Sequence, residues 1–93
     1  MTPSEYTESS KAFEKAADAI ENAIYNFKGE FYGATANRTY YACFYCLIGL
    51  LYTQKVYTKT HQGAKAKFSE LFIKTEIFPL DISDSISLLF DYR

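Results

Sequence analysis

The chain has 93 residues, a formal net charge of −1 and two cysteines. That length allows one small domain with a thin stability margin, and the charge gives no global basic balance that would indicate nucleic-acid binding. Two cysteines do not form a disulfide framework, and the polar N-terminus lacks a secretory signal pattern, so we expect a cytoplasmic protein. Nine Tyr and eight Phe are many for so small a core, and we expect some of them to face a partner.

The first predicted helix begins near Pro3 and ends at Lys28. Thr2 and Glu5 have the spacing of a capping box, and Ser4 is an alternative cap. Apolar residues at helical spacing predict its inner face: Phe13, Ala16, Ala17, Ile20, Ala23, Ile24 and Phe27. Polar residues predict the outer face: Lys11, Glu14, Lys15, Asp18, Glu21 and Asn22.

After a short link, the second predicted helix runs from about Gly33 to about Lys55. Every residue from Tyr40 to Tyr52 is apolar or aromatic apart from Gly49, and a helix that is apolar nearly all round is buried by its neighbours. The run is too short to span a bilayer, which needs about 20 apolar residues, so no membrane association is expected. We predict a central core helix, antiparallel to the first because the link is short.

A third helix is predicted to begin with Thr60 as its N-cap and His61 in its first turn. Its inner stripe is predicted to be His61, Ala64, Phe68, Leu71, Phe72 and Thr75. After Pro79, Asp81 predicts the N-cap of a fourth helix, whose inward residues are Ile82, Ile86, Leu89 and Phe90. No stop signal precedes Arg93, which indicates a chain cut within a helix. The predicted fold class is all-α: one domain over residues 1–93, an antiparallel up-and-down bundle of four helices with the last incomplete.

The spacing of Cys43 and Cys46 matches the C-x-x-C pattern of redox and metal sites. Both cysteines lie inside an apolar helical run, and a zinc site would need two further ligands, for which His61 is the one histidine available. The pattern therefore favours two small buried side chains over a redox or metal site. We expect neither a metal nor a cofactor.

Three polar features are candidates for a binding site. Arg38, with Asn37 beside it, precedes the apolar block, where it could bond a carboxylate, stack on an aromatic ring or hold a phosphate. His61 could face the core with one hydrogen bond or contact a ligand. The lysines near the same helix start could form an anion site or an ordinary solvated face: Lys55, Lys59, Lys65 and Lys67. The sequence has no P-loop and no serine-hydrolase elbow, so nothing in it specifies an enzyme by itself.

Two segments together resemble the HEPN domain family: residues 36–45, ANRTYYACFY, and residues 59–63, KTHQG. Members of that family carry a helix similar to SRAYYAMFY, then a KTHKG-like helix start, a phenylalanine-rich segment and an F-x-x-R helix. Phe68, residues 71–75 and residues 89–93 follow here in the same order, so the resemblance covers most of the chain after about Gly29. It implies an up-and-down helical bundle, commonly a homodimer and associated with a nucleotidyltransferase. Many members are RNA-cleaving toxins or defence proteins.

The family's active site is an Arg followed, after four to six residues, by a His, and it is composite across the dimer. This sequence departs from that pattern, because the next histidine after Arg38 is His61, and the sequence ends at Arg93 where the late Arg of the family is expected. Arg93 is thus a catalytic candidate only if the chain continues. The motif positions that match imply these ligand-binding candidates: Asn37, Arg38, Tyr41, Lys59 and His61.

The resemblance therefore implies a non-catalytic HEPN module that binds a nucleotide or RNA phosphate, docks a nucleotidyltransferase partner, or does both, in a toxin–antitoxin or defence system. Two alternatives stay open. One is a metal-independent ribonuclease toxin whose catalytic His lies beyond residue 93. The other is a purely structural dimerisation domain, in which Arg38 and His61 fix the packing of the helices.

Overall fold

The computed structural model describes the backbone of residues 3–92 and the side chains of residues 7–82, 84–89 and 91. Its elements are α1 (Pro3–Lys28), α2 (Tyr32–Thr53), α3 (His61–Phe68), a π-helical turn (Ser69–Ile73) that continues α3, and α4 (Leu80–Tyr92). The described backbone contains no strand. The predicted all-α bundle of four helices is confirmed.

Several expectations at the two ends of the chain fall outside the described residues. They concern the capping box of Thr2 and Glu5, the alternative cap Ser4, the inward position of Phe90 and the side chain of Arg93. Among the described helices, none has both the length and the hydropathy that a membrane crossing requires.

A three-residue link joins α1 to α2 and makes them an antiparallel pair. The backbone reverses at Glu30, whose φ of 64° lies in the left-handed region. The Phe31 N–H bonds the Asn26 carbonyl at 2.8 Å, and the Gly29 N–H bonds the Tyr25 carbonyl at 3.1 Å. These bonds satisfy carbonyls at the end of α1 that have no partner within the helix.

The buried face of α1 is a stripe of small residues, consisting of Ser9, Ala12, Ala16, Ala19 and Ala23. The predicted inner face is therefore right for Ala16 and Ala23 and in part for Phe13, whose ring packs at Gly49 of α2. It is wrong for the exposed residues Ala17, Ile20, Ile24 and Phe27. Because α1 packs mainly on α2, methyl side chains let the two backbones come close. The larger apolar side chains are then displaced to the flanks of the contact.

The central helix α2 supplies much of the core, as its composition predicts. Its buried residues are Tyr40, Ala42, Leu47, Ile48, Gly49 and Leu51, and Leu51 has no exposed surface. Gly49 leaves room for the Phe13 ring where α1 packs on α2, because a Cβ at this position would lie 2.6 Å from that ring. Phe13 thus covers α2 at a glycine, even though 39% of its surface remains exposed.

The π-helical turn after α3 changes which side chains face the core. The Lys74 N–H bonds the Ser69 carbonyl at 2.9 Å, an i→i+5 pairing that widens the turn. The neighbours Phe72 and Ile73 are both buried, whereas Thr75 is exposed. The predicted inward position of Thr75 is wrong because the extra residue in the turn shifts the helical period.

The last helix begins at Leu80, one residue before its predicted N-cap. Asp81 therefore lies in the first turn of α4 and is not its N-cap. Ile86 is buried and Leu89 packs against the core, as predicted, but Ile82 is 40% exposed. That prediction is wrong because α4 touches α2 and the π-helical turn over a short stretch only.

Candidate functional site

The Arg38 side chain is held over a ring near the start of α2. Its guanidinium carbon lies 5.0 Å from the centre of the Tyr41 ring, within the range of a cation–π contact. Its Nε and Nη2 groups donate to the Asn37 Oδ1 at 3.0 and 2.6 Å. The described residues provide no carboxylate partner for Arg38. The guanidinium is therefore oriented by neutral groups, and its positive charge is not neutralised by them.

His61 is half-buried among aromatic rings of α2. The Tyr40 hydroxyl is hydrogen-bonded to the His61 Nδ1, which satisfies the hydroxyl of a side chain that is only 3% exposed. When Tyr40 donates, Nδ1 is the acceptor and Nε2 carries the ring proton. The centre of the Phe44 ring lies 4.1 Å from that of the imidazole, and the Tyr41 ring meets it edge-on at 6.1 Å.

Local backbone chemistry fixes where His61 enters this cluster. Thr60 is the N-cap of α3, and its Oγ1 accepts a hydrogen bond from the Gly63 N–H at 2.9 Å. This confirms the predicted cap. Because Thr60 defines where α3 begins, His61 lies in the first turn of α3 and reaches the ring face of α2.

Four of the five predicted ligand-binding candidates belong to one connected group. Arg38 bonds Asn37 and lies over Tyr41, and the Tyr41 ring contacts the imidazole of His61. Lys59 is exposed in the loop before α3 and forms no hydrogen bond or ion pair with the described residues. We call Arg38, Tyr41 and His61 the Arg–His corner.

Sequence reasoning missed two residues of this site, Tyr40 and Phe44. Both contact His61 directly. Their i, i+4 spacing is the available signal, because residues four apart lie on the same face of a helix. The sequence alone gave no reason to associate that face with His61, since the contact joins residues 17 to 21 positions apart.

The remaining sequence motifs have ordinary structural surroundings. Lys67 pairs with Glu70 at 3.2 Å, and both side chains are about half exposed, which is typical of a solvated face. Cys43 and Cys46 are free and half-buried. Burial raises the pKa of the Cys43 thiol to about 11, with the nearby Cys46 contributing, and also raises the pKa of Cys46. Such thiols are poor nucleophiles at neutral pH.

A metal site needs a cluster of side chains that can coordinate the ion. In the part of the chain that the structure describes, no three His, Cys, Asp or Glu residues are arranged to hold a metal ion. The side chains of the Arg–His corner themselves offer two polar groups. These are a guanidinium with unused N–H donors and an imidazole held beside aromatic rings.

Comparison with known proteins agrees with the two motifs. The model of the HEPN domain matches residues 9–93. The Methanocaldococcus jannaschii protein named "Putative toxin MJ0142" is 34% identical over 83 residues, which are 89% of this chain and 56% of that protein. A "UPF0332 protein" of Thermotoga maritima is 28% identical over 79 residues, 85% of this chain and 60% of that protein. No solved structure matches the chain significantly.

The chain spans somewhat more than half the length of these two curated relatives. The family match nevertheless extends over nearly all of the chain, including both motifs, most of α1 and the three later helices. The resemblance that the motifs predict is thereby confirmed: the chain belongs to the HEPN domain family.

Proposed function

We propose that this HEPN domain binds the phosphate of a nucleotide or of RNA at the Arg–His corner. The observation that carries the proposal is the Arg38 guanidinium, which lies over Tyr41 with no carboxylate partner among the described residues. An arginine that is half-buried and not neutralised is well suited to bind an anion. Its orientation by neutral groups lowers the entropy that binding would cost.

The geometry also leaves the right donors for a phosphate. Arg38 uses Nε and one N–H of Nη2 on Asn37, so the N–H groups of Nη1 and the second N–H of Nη2 stay available. A guanidinium can present such donors to two oxygens of one phosphate. His61 contacts the Tyr41 ring that lies under Arg38, and it would contribute a second polar group at the same edge.

We further propose that the domain serves in a toxin–antitoxin or defence system, and that residues 1–93 bind without cleaving. The name of the Methanocaldococcus jannaschii relative supports a toxin-type role. No Arg followed within a few residues by a His occurs in the sequence, in which His61 is the one histidine. The alternative is a metal-independent ribonuclease toxin, whose catalytic His would lie beyond residue 93.

The proposal includes a surface that binds a protein partner, and we propose that this partner is a second copy of the chain. The Ile20–Phe27 groove between α1 and α2 has a volume of about 540 Å³ and is lined chiefly by Ile20, Ala23, Ile24, Phe27, Thr39 and Ala42. Ile20, Ile24 and Phe27 are 48%, 50% and 60% exposed. An apolar surface of this kind is typical of a protein contact. A nucleotidyltransferase is the alternative partner.

The test of phosphate binding is Arg38→Ala beside the charge-matched control Lys74→Ala. Lys74 is exposed and follows the π-helical turn, and its substitution by alanine removes the same single positive charge. Loss of charge-assisted hydrogen bonds costs about 1.5–3 kcal/mol, so Arg38→Ala should weaken binding of a fluorescein-labelled single-stranded RNA about tenfold or more. Fluorescence anisotropy measures the affinity, and thermal melts of both variants report their stability.

Equal affinities of the two variants would contradict the proposal, and so would wild-type protein that binds neither RNA nor AMP. A drop in melting temperature for Arg38→Ala without a change in affinity supports the purely structural alternative. Gel analysis of the same RNA after incubation in EDTA tests for cleavage. Cleavage by the wild-type chain would support the ribonuclease alternative and contradict a binding-only domain.

A further inference from the structure

A second cleft, distinct from the Arg–His corner, lies between the N-terminal half of α1 and the C-terminal half of α2. Its volume is about 240 Å³, and its lining combines charge, hydroxyl groups and aromatic rings. The principal lining residues are Glu8, Lys11, Lys15, Tyr45, Tyr52 and Thr58. We call it the Lys11–Lys15 cleft. A cleft that joins aromatic surface to a few polar groups is the usual form of a small-ligand site.

One wall of this cleft carries a buried hydroxyl whose hydrogen-bonding capacity is unused. The Thr58 Oγ1 is inaccessible to solvent, and no described residue bonds it. Buried hydroxyl groups in folded proteins nearly always have a partner. Because this oxygen has no accessible surface, a ligand in the cleft would hydrogen-bond it after a neighbouring side chain moves aside.

The charges at the rim select the kind of ligand. Neither Lys11 nor Lys15 forms an ion pair with the described residues. The Lys15 Nζ lies 5.7 Å from the centre of the Tyr45 ring. The cleft also contains the carboxylate of Glu8, which would repel a bare anion. A ligand that carries both a phosphate and hydrogen-bond donors satisfies the lysines and Glu8 together.

Aromatic rings connect this cleft to the Arg–His corner. The Tyr41 and Tyr45 rings lie 6.1 Å apart, with Arg38 over the first and Lys15 over the second. Phe44 contacts the imidazole of His61 and also lines the cleft. Successive aromatic rings with cations beside them are the surface on which single-stranded nucleic acids stack.

We propose that the Lys11–Lys15 cleft binds one nucleotide unit, with its base against the tyrosine rings and Thr58 and its phosphate at the two lysines. The source of that unit is single-stranded RNA that continues along the rings to Arg38, or a free mononucleotide. The part of this inference in which the RNA strand continues to Arg38 rests on the proposed function. The cleft itself is lined by residues other than those of the Arg–His corner. The amino and hydroxyl groups of a nucleotide supply the donors that Glu8 accepts.

Thr58→Val is the sharpest test because it removes the hydroxyl and keeps the shape of the side chain. Loss of a buried hydroxyl without a partner should leave the melting temperature unchanged or raise it. Affinity for a fluorescein-labelled single-stranded RNA should nevertheless fall about fivefold or more. A merely structural threonine would change stability and not affinity. Unchanged RNA and AMP affinities in Thr58→Val would overturn the base contact.

Lys11→Ala/Lys15→Ala tests the phosphate contact, with Lys67→Ala/Lys74→Ala as the charge-matched control. Each phosphate contact with a single strand contributes roughly 0.7 to the slope of log affinity against log salt. Because both lysines contact one phosphate, the test variant should lose about 0.7 of that slope and tenfold or more in affinity, whereas the control pair, both exposed, should keep its slope. Equal slopes for the two variants would overturn the proposal.

Competition identifies the source of the ligand. Displacement of labelled RNA by AMP, with sensitivity to Thr58→Val, indicates a mononucleotide site, and displacement by RNA alone indicates a strand. Inorganic phosphate that competes as well as AMP would overturn base recognition. If Arg38→Ala weakens RNA binding but the cleft variants do not, the cleft proposal fails and the proposed function stands. If only the cleft variants weaken binding, the cleft stands and the Arg–His corner fails.

Discussion

The same two helices enclose two clefts whose linings differ in kind. Beside the N-terminal half of α1, the Lys11–Lys15 cleft is about 240 Å³ and combines two lysines, a glutamate and a threonine with aromatic rings. Beside the C-terminal half, the Ile20–Phe27 groove is about 540 Å³ and its lining is mainly aliphatic and aromatic. A small polar ligand suits the first cleft, whereas an apolar protein surface suits the second.

The difference shows how one helix pair can carry two kinds of site. The stripe of small residues fixes the contact between α1 and α2, so the residues beside that stripe are free to vary in chemistry. On one half of α1 these flanking residues are charged, as at Lys11 and Lys15, and on the other half they are apolar, as at Ile20 and Ile24. The proposed ligand and the proposed partner are separated along α1 in the same way.

The largest expected effect comes from breaking the contact that both clefts share. Ala16 is 3% exposed at the α1–α2 contact, so Ala16→Leu overpacks it and should cost roughly 1–3 kcal/mol in the free energy of unfolding. Its neighbour Ala17 is exposed, and Ala17→Leu should change stability by less than about 0.5 kcal/mol. Urea denaturation of both variants measures the difference. Equal unfolding free energies would mean that the small-residue stripe does not set the helix spacing.

A smaller effect, confined to the apolar groove, is expected from Ile24→Lys. A lysine in the Ile20–Phe27 groove would place a charge in the proposed contact with a second copy, and should weaken self-association at least tenfold without lowering the melting temperature. Tyr25→Lys is the matched control, since Tyr25 is 77% exposed and does not line the groove. Sedimentation velocity over a range of protein concentrations measures the self-association of each variant.

Wild-type protein that stays monomeric at all concentrations would reject a second copy as the occupant of the groove. If Ile24→Lys and Tyr25→Lys self-associated with equal affinity, the contact between copies would lie at another surface. RNA affinity should be the same in both variants if the two clefts act separately. A loss of RNA binding in Ile24→Lys alone would show that the groove and the Lys11–Lys15 cleft depend on each other.

The smallest effect concerns the two thiols on α2, which is one of the two helices that form the clefts. Because burial raises the pKa of Cys43 from 9.0 to about 11, folding favours its protonated form. That contribution to stability is complete below about pH 9 and is lost as the pH rises through about 11. A Cys46→Ala variant keeps the burial of Cys43 but loses the contribution of Cys46, so iodoacetamide at pH 8 should modify Cys43 at least about tenfold more slowly than a thiol with the ordinary pKa. Unfolding in urea should restore the fast rate, and a fast rate in the folded protein would contradict the burial of Cys43.

The sequence by itself determined the helical class, the central position of α2 and the family. The apolar run from Tyr40 to Tyr52 is longer than a typical strand and therefore favours a buried helix, and Thr60 caps α3 as its hydroxyl and position predict. The end of α1 at Lys28 was likewise predictable from a cation followed by glycine. The two motifs identified the HEPN resemblance because they are local runs of residues, which need no tertiary contact to be read.

Only the tertiary structure decided which face of α1 is buried and which rings surround His61. Helical periodicity specifies a face to within about one residue, and on α1 the alanine stripe and the Phe13–Phe27 stripe are neighbours. The choice between them depends on how close α2 comes, and Gly49 with the alanines allows a close approach. The contacts of Tyr40 and Phe44 with His61 join distant positions, so packing decided them and no local pattern could.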